Sequence, residues 1–403
     1  MLFVQVLFWF SVGAVTYTYF VYPWLLRFLT RHKQTHPFVY QQGDELPVLS
    51  LLMAMYNEAQ VIEAKLNSLE ASNYPKDKLH IYIGNDNSTD ESARLAAAYQ
   101  DRFPHFTLVN FGGRSGKPNI INQLAAQTRK ELGEEQLFII TDANVLFDAD
   151  LITQLVSHYK DPKIGMVGAN VINKLPNQTT IAELEQLYIS RENQMKYREG
   201  LLNGALMGPF GACFSMRAAL YIPLPAHFIV DDFYLCMQVH NQGYACIYDL
   251  QARCFEDVPG NMWEEFRRKS RIGAGNFQNL SVFKNWLLKP FHPVGFAFIS
   301  HKVLRWITPF LAICGLVSIA ILAGHNSFYE AIFVYKFVIV GLFFLDLVLV
   351  LFNIHIKPLR LITYFYFMNF ALILGFIYFI KGIKSNVWQP TERKIADNTL
   401  KNK

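Results

Sequence analysis

LFIITDANVLFDAD, residues 137–150, opens with four apolar residues in a row (Leu137, Phe138, Ile139, Ile140) and then breaks into Thr141, Asp142, Ala143 and Asn144. An uninterrupted apolar run this short reads as a strand buried on both faces, the pattern of a parallel sheet covered by helices. A carboxylate just past such a strand sits where open α/β sheets bind ligands. Asp142 and Asn144 offer hard oxygen atoms two residues apart, a donor set that suits Mg²⁺ or Mn²⁺ holding a diphosphate. The bland alternative is that Asp142 caps the following turn. The flanking sequence decides between them.

The same pattern recurs upstream. Residues 47–55 (PVLSLLMAM) read as a buried strand followed by Tyr56, Asn57 and Glu58, and residues 58–69 carry Val61, Ile62, Leu66 and Leu69 at helical spacing. Residues 79–84 form a second strand and run into Asn85-Asp86-Asn87-Ser88-Thr89-Asp90. Residues 106–111 form a third, followed by Gly112-Gly113-Arg114-Ser115-Gly116-Lys117. Strands alternating with helices predict an α/β domain with a mostly parallel sheet. Each polar ending suits a nucleotide diphosphate: Tyr56, Asn57 and Glu58 beside it, Asp86 for base or ribose, Lys117 and Arg114 for phosphate, Asp142 for the metal. The glycine turn has neither Walker A nor G-x-G-x-x-G spacing.

Composition adds a membrane. Of 403 residues 52% are hydrophobic and 15% aromatic, with mean hydropathy +0.16, too apolar for a purely soluble chain. Residues 2–26 carry no charge and are long enough to span a bilayer; Arg27, Arg31 and Lys33 follow, placing the next domain in the cytoplasm. Apolar stretches at 307–323, 337–356 and 361–380 close the chain, the second holding Asp346, which is expected to face protein or a water-filled path. Residues 290–306, with His292, His301, Lys302 and Arg305 among aromatics, suit an interfacial segment. Three closing spans put the tail outside, whereas its Lys381, Lys384, Arg393 and Lys394 favour inside, so either one span re-enters or 290–306 dips deeper. The net charge of +5 clusters near the membrane flanks, which speaks for lipid headgroups or phosphates and not for nucleic acid. Five cysteines without CxxC spacing read as free thiols.

Met55-Tyr56-Asn57-Glu58, Asn85 to Asp90, Gly116-Lys117 and Thr141-Asp142-Ala143-Asn144 resemble, in order, the signature blocks of family 2 glycosyltransferases. The likeness is closest to the membrane-integrated branch that includes synthases of hyaluronan, chitin oligosaccharide and poly-N-acetylglucosamine. It implies a GT-A fold with N- and C-terminal transmembrane helices, a nucleotide-sugar donor (a UDP-sugar in this branch), Mg²⁺ or Mn²⁺ held by Asp142 and Asn144, and inversion at the anomeric carbon. Residues 208–217, GPFGACFSMR, resemble the acceptor-side block, and Val230-Asp231-Asp232-Phe233 the block of the catalytic base. That base falls on Asp232, with Asp231 supporting the acceptor; a structural pair at a helix start is the alternative. Where the family has Q-x-x-R-W, this chain has Arg268 and Ile272 in place of glutamine and tryptophan but keeps Arg271, so Arg271 and Arg268 are candidates for the diphosphate. Loss of the tryptophan speaks against long-chain polymerisation. Residues 388–393, WQPTER, resemble an ending of the same branch.

The expected organisation is an N-terminal anchor (1–29), a cytoplasmic GT-A domain (46–283), an interfacial segment (284–306), three transmembrane helices (307–383) and a basic tail (384–403). The expected protein is a multi-pass enzyme of the inner (plasma) membrane, transferring sugar to a lipid-linked or saccharide acceptor among membrane lipids. Processive synthesis with export and a non-catalytic nucleotide-sugar-binding scaffold are the competing readings.

Overall fold

The computed structural model describes residues 1–34, 40, 43–174, 180–257 and 262–383; the resemblance at 388–393 and the basic tail lie outside them. The chain divides into two units, one made of Met1–Lys33 with Glu265–Ile383 and the other of Gln34–Glu264.

In the second unit β1 (Leu49–Met55), β2 (Leu79–Asn85), β3 (Phe106–Asn110) and β4 (Leu137–Asp142) pair in parallel in the order β3-β2-β1-β4. Every residue of β1 is buried, because both faces of the sheet are covered. Leu49, Leu51, Met53 and Met55 pack with Ile62, Leu66 and Leu69 of helix Ile62–Glu70 and with helix Leu151–Ser157. On the opposite face helix Lys117–Leu132 buries Ile120, Ile121, Leu124 and Ala125, and Ile120 approaches Gly84 so closely that a Cβ there would stand 2.2 Å from its Cγ2. That two-sided burial is what an apolar run without alternation encodes.

Four further strands, β5 (Leu146–Phe147), β6 (Ile164–Lys174), β7 (Cys213–Arg217) and β8 (Ala245–Asp257), extend the sheet to the order β3-β2-β1-β4-β7-β6-β8-β5. β7 runs antiparallel to β4 and β6, β8 is parallel to β6, and β5 antiparallel to β8. Chain order reverses about β1, which lies between β2 and β4, so the crevice past the carboxyl ends of β1 and β4 is the topological switch point.

The expected helix at 58–69 begins only at Ile62. Asn57 takes a left-handed conformation (φ 51°) and the Glu58 amide donates to Ser92 Oγ at 2.7 Å, so the residues before Ile62 form a turn instead. Helix Asp231–Asn241, in contrast, starts at the acidic pair itself, two carboxylates in the turn where the helix dipole favours negative charge.

The other unit is helical. Leu2–Thr16, a π-helical turn at Tyr17–Val21 and Tyr22–Leu29 form one apolar helix of 28 residues, long enough to cross a membrane, as are Ser327–Leu351 and Lys357–Ile380. Pro293–Trp306 is helical and meets Thr308–Ala323 at a 62° bend, the geometry of a broken span or a re-entrant loop. Ser327–Leu351 begins well before the expected position 337, because Asn326 caps it by accepting from the Phe328 amide at 2.8 Å. Phe8 of the first helix packs with Ile319, Leu322 and Tyr329. Asp346 is fully buried and accepts from Arg360 Nη1 at 3.0 Å, so it faces protein.

Removing one partner of a buried ion pair strands the other, at a cost of about 3–5 kcal/mol. Asp346→Leu is therefore expected to lower the unfolding temperature in detergent markedly, and Asp346→Leu with Arg360→Met to regain most of it. A single variant as stable as the parent would show that the pair contributes nothing.

Candidate active site

Register brings the polar strand ends together. Met55 lies opposite Asn85, and Ala54 opposite Asp142, so the turns after β1, β2 and β4 share one edge. Asn57 ties that edge through its carboxamide and its backbone amide, and Glu58 through its amide. The Asn57 carboxamide accepts from the Thr89 amide at 2.8 Å and donates to Thr89 Oγ1 at 3.1 Å, and the Asn57 amide donates to Ser88 Oγ at 3.1 Å. These bonds tie the first signature turn to the second.

Asp86 is fully buried and anchors the glycine turn. Its carboxylate accepts from the amides of Ser115 (2.5 Å) and Gly116 (3.2 Å) and from Arg114 Nε (3.1 Å). Gly116 takes φ 80° at the start of helix Lys117–Leu132, a conformation glycine adopts at little cost. The Arg114 guanidinium also stacks on the Tyr56 ring, 3.2 Å from its centroid. Asp86 thus shapes the loop that carries Arg114 and Lys117, in addition to any bond it makes to a ligand.

Lys117 stands at the centre of the charged cluster. Its Nζ donates to Asp142 Oδ1 at 2.7 Å and lies 3.4 Å from Asp231 Oδ2, at ion-pair range without a directed hydrogen bond. Burial alone would push the Lys117 ammonium down, but Asp142 and then Asp231 more than offset it, and its pKa is raised. Asp142 comes from the end of β4 and Asp231 from the first turn of helix Asp231–Asn241, so one ammonium joins groups far apart in sequence. Beside them, burial and then the Asp231 charge push the Asp232 carboxyl up to about 6, against the pull of Lys196. Gly211 leaves room there: a Cβ would stand 3.4 Å from Asp232 Oδ2. Asn144 is half-buried, its Nδ2 3.4 Å from Glu256 Oε1.

Two buried lysines escaped the sequence reading. Lys196 donates to the carbonyls of Gly208 and Pro209 (3.0 Å to the latter) and lies over Phe210, holding the acceptor-side block; nothing in the sequence marks it. Lys65, on helix Ile62–Glu70, donates to Val145 O at 2.6 Å and to Thr141 Oγ1 at 3.1 Å. Burial pushes its ammonium down to about 7, against the upward pull of Cys213, Cys254 and Asp142. Its signal was a charge on an apolar stripe, beside Ile62, Leu66 and Leu69.

Arg268 and Arg271 are carried by the helical unit, on helix Met262–Phe283. Arg268 makes a bidentate pair with Glu265, 2.9 Å from Nε and 3.0 Å from Nη2, and Arg271 is exposed. Cys213, Cys236, Cys246 and Cys254 are free and buried.

A parallel half-sheet with polar strand ends at its switch point, followed by a mixed half and apolar helices, defines a membrane-associated nucleotide-sugar-transferase type of fold. The chain matches the family model for glycosyl transferase family 2 over residues 50–222 and that for glycosyl transferase family group 2 over residues 137–380, more than half of its length. It belongs to the family 2 glycosyltransferases. It is similar to the poly-β-1,6-N-acetyl-D-glucosamine synthase of Staphylococcus aureus (strain COL), 28% identical over 239 residues, 57% of this chain and 55% of that protein. The synthase of the same name from Staphylococcus epidermidis is 25% identical over 244 residues, 58% of this chain and 57% of that one. The chain thus spans little more than half the length of the curated relatives it matches. Among solved structures, the mannosyltransferase PcManGT from Pyrobaculum calidifontis, in complex with GDP-Man and Mn²⁺, shares the GT-A fold at a TM-score of 0.67 and 20% identity, covering 94% of this chain and 97% of that one.

If Asp86 holds the glycine turn, Asp86→Asn should loosen it. Losing a charged acceptor for buried donors costs about 1–3 kcal/mol, on the order of tenfold or more in loop opening. Trypsin should then cut after Arg114 correspondingly faster in the folded variant, as read by mass spectrometry. Equal cleavage would place the anchor elsewhere.

Proposed function

We propose that the chain is an inverting, metal-dependent glycosyltransferase that moves a sugar from a nucleotide-sugar, most simply a UDP-sugar, to a lipid-linked or saccharide acceptor at the membrane, in polysaccharide or glycolipid synthesis. The observation that carries this reading is the convergence of Asp142 and Asp231 on Lys117, because it joins a donor-side strand end to an acceptor-side helix start. A multi-pass protein of the inner membrane with this site in the cytoplasm fits the long apolar helices and the basic residues after the first of them.

The donor atoms at Asp142 and Asn144 are a carboxylate and an amide oxygen, which fit a hard divalent cation. Mg²⁺ or Mn²⁺ held there would supply positive charge against the departing diphosphate. Arg114 and Lys117, on the loop shaped by Asp86, are the candidates to bind phosphate, and Tyr56, Asn57 and Glu58 border the nucleotide. Arg268 and Arg271 enter this reading through their motif alone. Asp232 takes the proton of the acceptor hydroxyl as its oxygen attacks the anomeric carbon and the bond to the diphosphate breaks on the opposite face. Ile272 in place of tryptophan favours single transfer over long-chain synthesis.

The test is release of UDP by the detergent-purified chain with Mn²⁺ and a panel of UDP-sugars, together with the mass of the product. Asp142→Ala is expected to abolish release, since charge stabilisation of the leaving group is worth several kcal/mol. Turnover in that variant at the parent's rate and Mn²⁺ dependence would overturn the reading.

The base assignment has its own signature. A carboxyl at about 6 takes a proton only when ionised, so turnover should rise with pH through about 6 and level off above it. Asp232→Asn should remove that limb and lower kcat by about 10²–10⁴-fold with donor KM little changed, while Asp231→Asn is milder. A more damaged Asp231→Asn in a stable fold would move the base to Asp231.

A further inference from the structure

Lys65 is fully buried, yet among the described residues no acidic side chain takes its ammonium; its hydrogen bonds go to Val145 O (2.6 Å) and Thr141 Oγ1 (3.1 Å), and it lies 3.5 Å from the centroid of the Phe147 ring. Burying an ammonium is costly unless its donors are used, so a lysine in an otherwise apolar helix face needs a reason beyond packing. The two oxygens it grips supply one. Thr141 precedes and Val145 closes the turn 142–145, in which the Val145 amide donates to Asp142 O at 3.3 Å. One ammonium therefore fastens both ends of the turn that displays Asp142 and Asn144. The grip extends to the acceptor side, because Thr141 Oγ1 donates to Ala212 O at 2.8 Å and the Asp142 amide donates to the same carbonyl at 3.2 Å.

We propose that Lys65 is a positioning residue for the divalent cation: its ammonium clamps the two ends of the 142–145 turn and so fixes the oxygens of Asp142 and Asn144 for metal binding, while tying that turn through Thr141 to the acceptor-side loop at Ala212. This rests on the reading of Asp142 as a metal ligand. Lys65 itself touches neither metal nor substrate. Helix Ile62–Glu70 follows directly on the first signature turn, so the clamp links that turn, the metal turn and the acceptor block through one side chain.

The experiment measures Mn²⁺ binding to the detergent-purified full chain in the presence of UDP, by electron paramagnetic resonance of free Mn²⁺, alongside the unfolding temperature. Groups that orient metal ligands typically contribute about 10–100-fold in affinity, and Lys65→Met is expected to raise the Mn²⁺ Kd by that factor. Lys65→Arg, which keeps charge and donors, should recover part of the loss. Thr141→Val, which removes only the hydroxyl in the clamp, should weaken binding in the same direction but less. Tyr74→Phe is the stability control: it deletes a half-buried bond to Pro47 O, which takes no part in the 142–145 turn, and should lower the unfolding temperature with the Mn²⁺ Kd unchanged. A folded Lys65→Met that binds Mn²⁺ like the parent overturns the proposal. Should that variant fail to fold, an unchanged Kd in Thr141→Val overturns it. Asp142→Ala separates the two levels: parental Mn²⁺ binding there removes the metal-ligand reading and Lys65's role with it, whereas lost binding there with parental binding in Lys65→Met removes the positioning role alone.

Discussion

The Lys117 ammonium holds together what would otherwise repel. Asp142, Asp231 and Asp232 bring three carboxyl groups to one region, with Asp231 buried and the Asp142 side chain 37% exposed, and like charges at short range favour one another's protonation. Lys117, 2.7 Å from Asp142 and 3.4 Å from Asp231, sets a positive charge between the strand end and the helix start, while burial and then the Asp231 charge raise the Asp232 carboxyl to about 6. The placement of Lys117 depends in turn on Asp86, which fixes the preceding turn through two backbone amides. The division of labour among the acidic groups follows from that geometry: one builds a loop, two are paired, and one is poised to exchange a proton near neutral pH.

A second theme is that the site's loops are held by buried side chains gripping the backbone. Asp86 accepts from amides of the glycine turn, Lys65 and Lys196 donate to carbonyls of the 142–145 turn and of Gly208-Pro209, and Glu199 accepts from the Met207 amide at 3.0 Å. Loops carry backbone polar groups that no ladder satisfies, and a buried loop group left unpaired is costly. A charged group makes a stronger bond to such atoms than a neutral one and reaches several of them at once. The glycines complement these grips: Gly208, at φ 76°, lies so close to Phe233 that a Cβ would stand 2.9 Å from its ring.

The parallel half of the sheet was legible in the sequence because burial on both faces leaves its mark as an unbroken apolar run. Residues 49–55 and 137–140 carry that mark, and the strand-end motifs follow directly. The mixed half was not legible as strands. β7 was read only as a glycine-rich block, and β8 pairs with β6 through register shifts between Ile164 and Met166 and between Ala169 and Asn170, which blur any regular period. Helix bounds failed where tertiary bonds overrode local pattern, as at Glu58, whose amide is claimed by Ser92. The pairing of Lys117 with both Asp142 and Asp231 was beyond the sequence altogether, since it depends on a helix start and a strand end meeting across many residues of intervening chain.

Charges set in apolar patterns proved the most informative residues, and they separate into two kinds. Asp346, within an apolar span, finds Arg360 one helix on, and the two charges pair inside the helical unit. Lys65, on the apolar stripe of its helix, finds no carboxylate partner among the described residues and instead directs its donors to a hydroxyl and a carbonyl at the end of β4. An ion pair neutralises a charge that lies in the interior; Lys65, its ammonium pushed down to about 7 by burial against the upward pull of Cys213, Cys254 and Asp142, keeps its hydrogen bonds to loop oxygens instead. Burial without an ion pair is the costlier arrangement, so its occurrence beside the 142–145 turn argues for a use that packing alone does not supply.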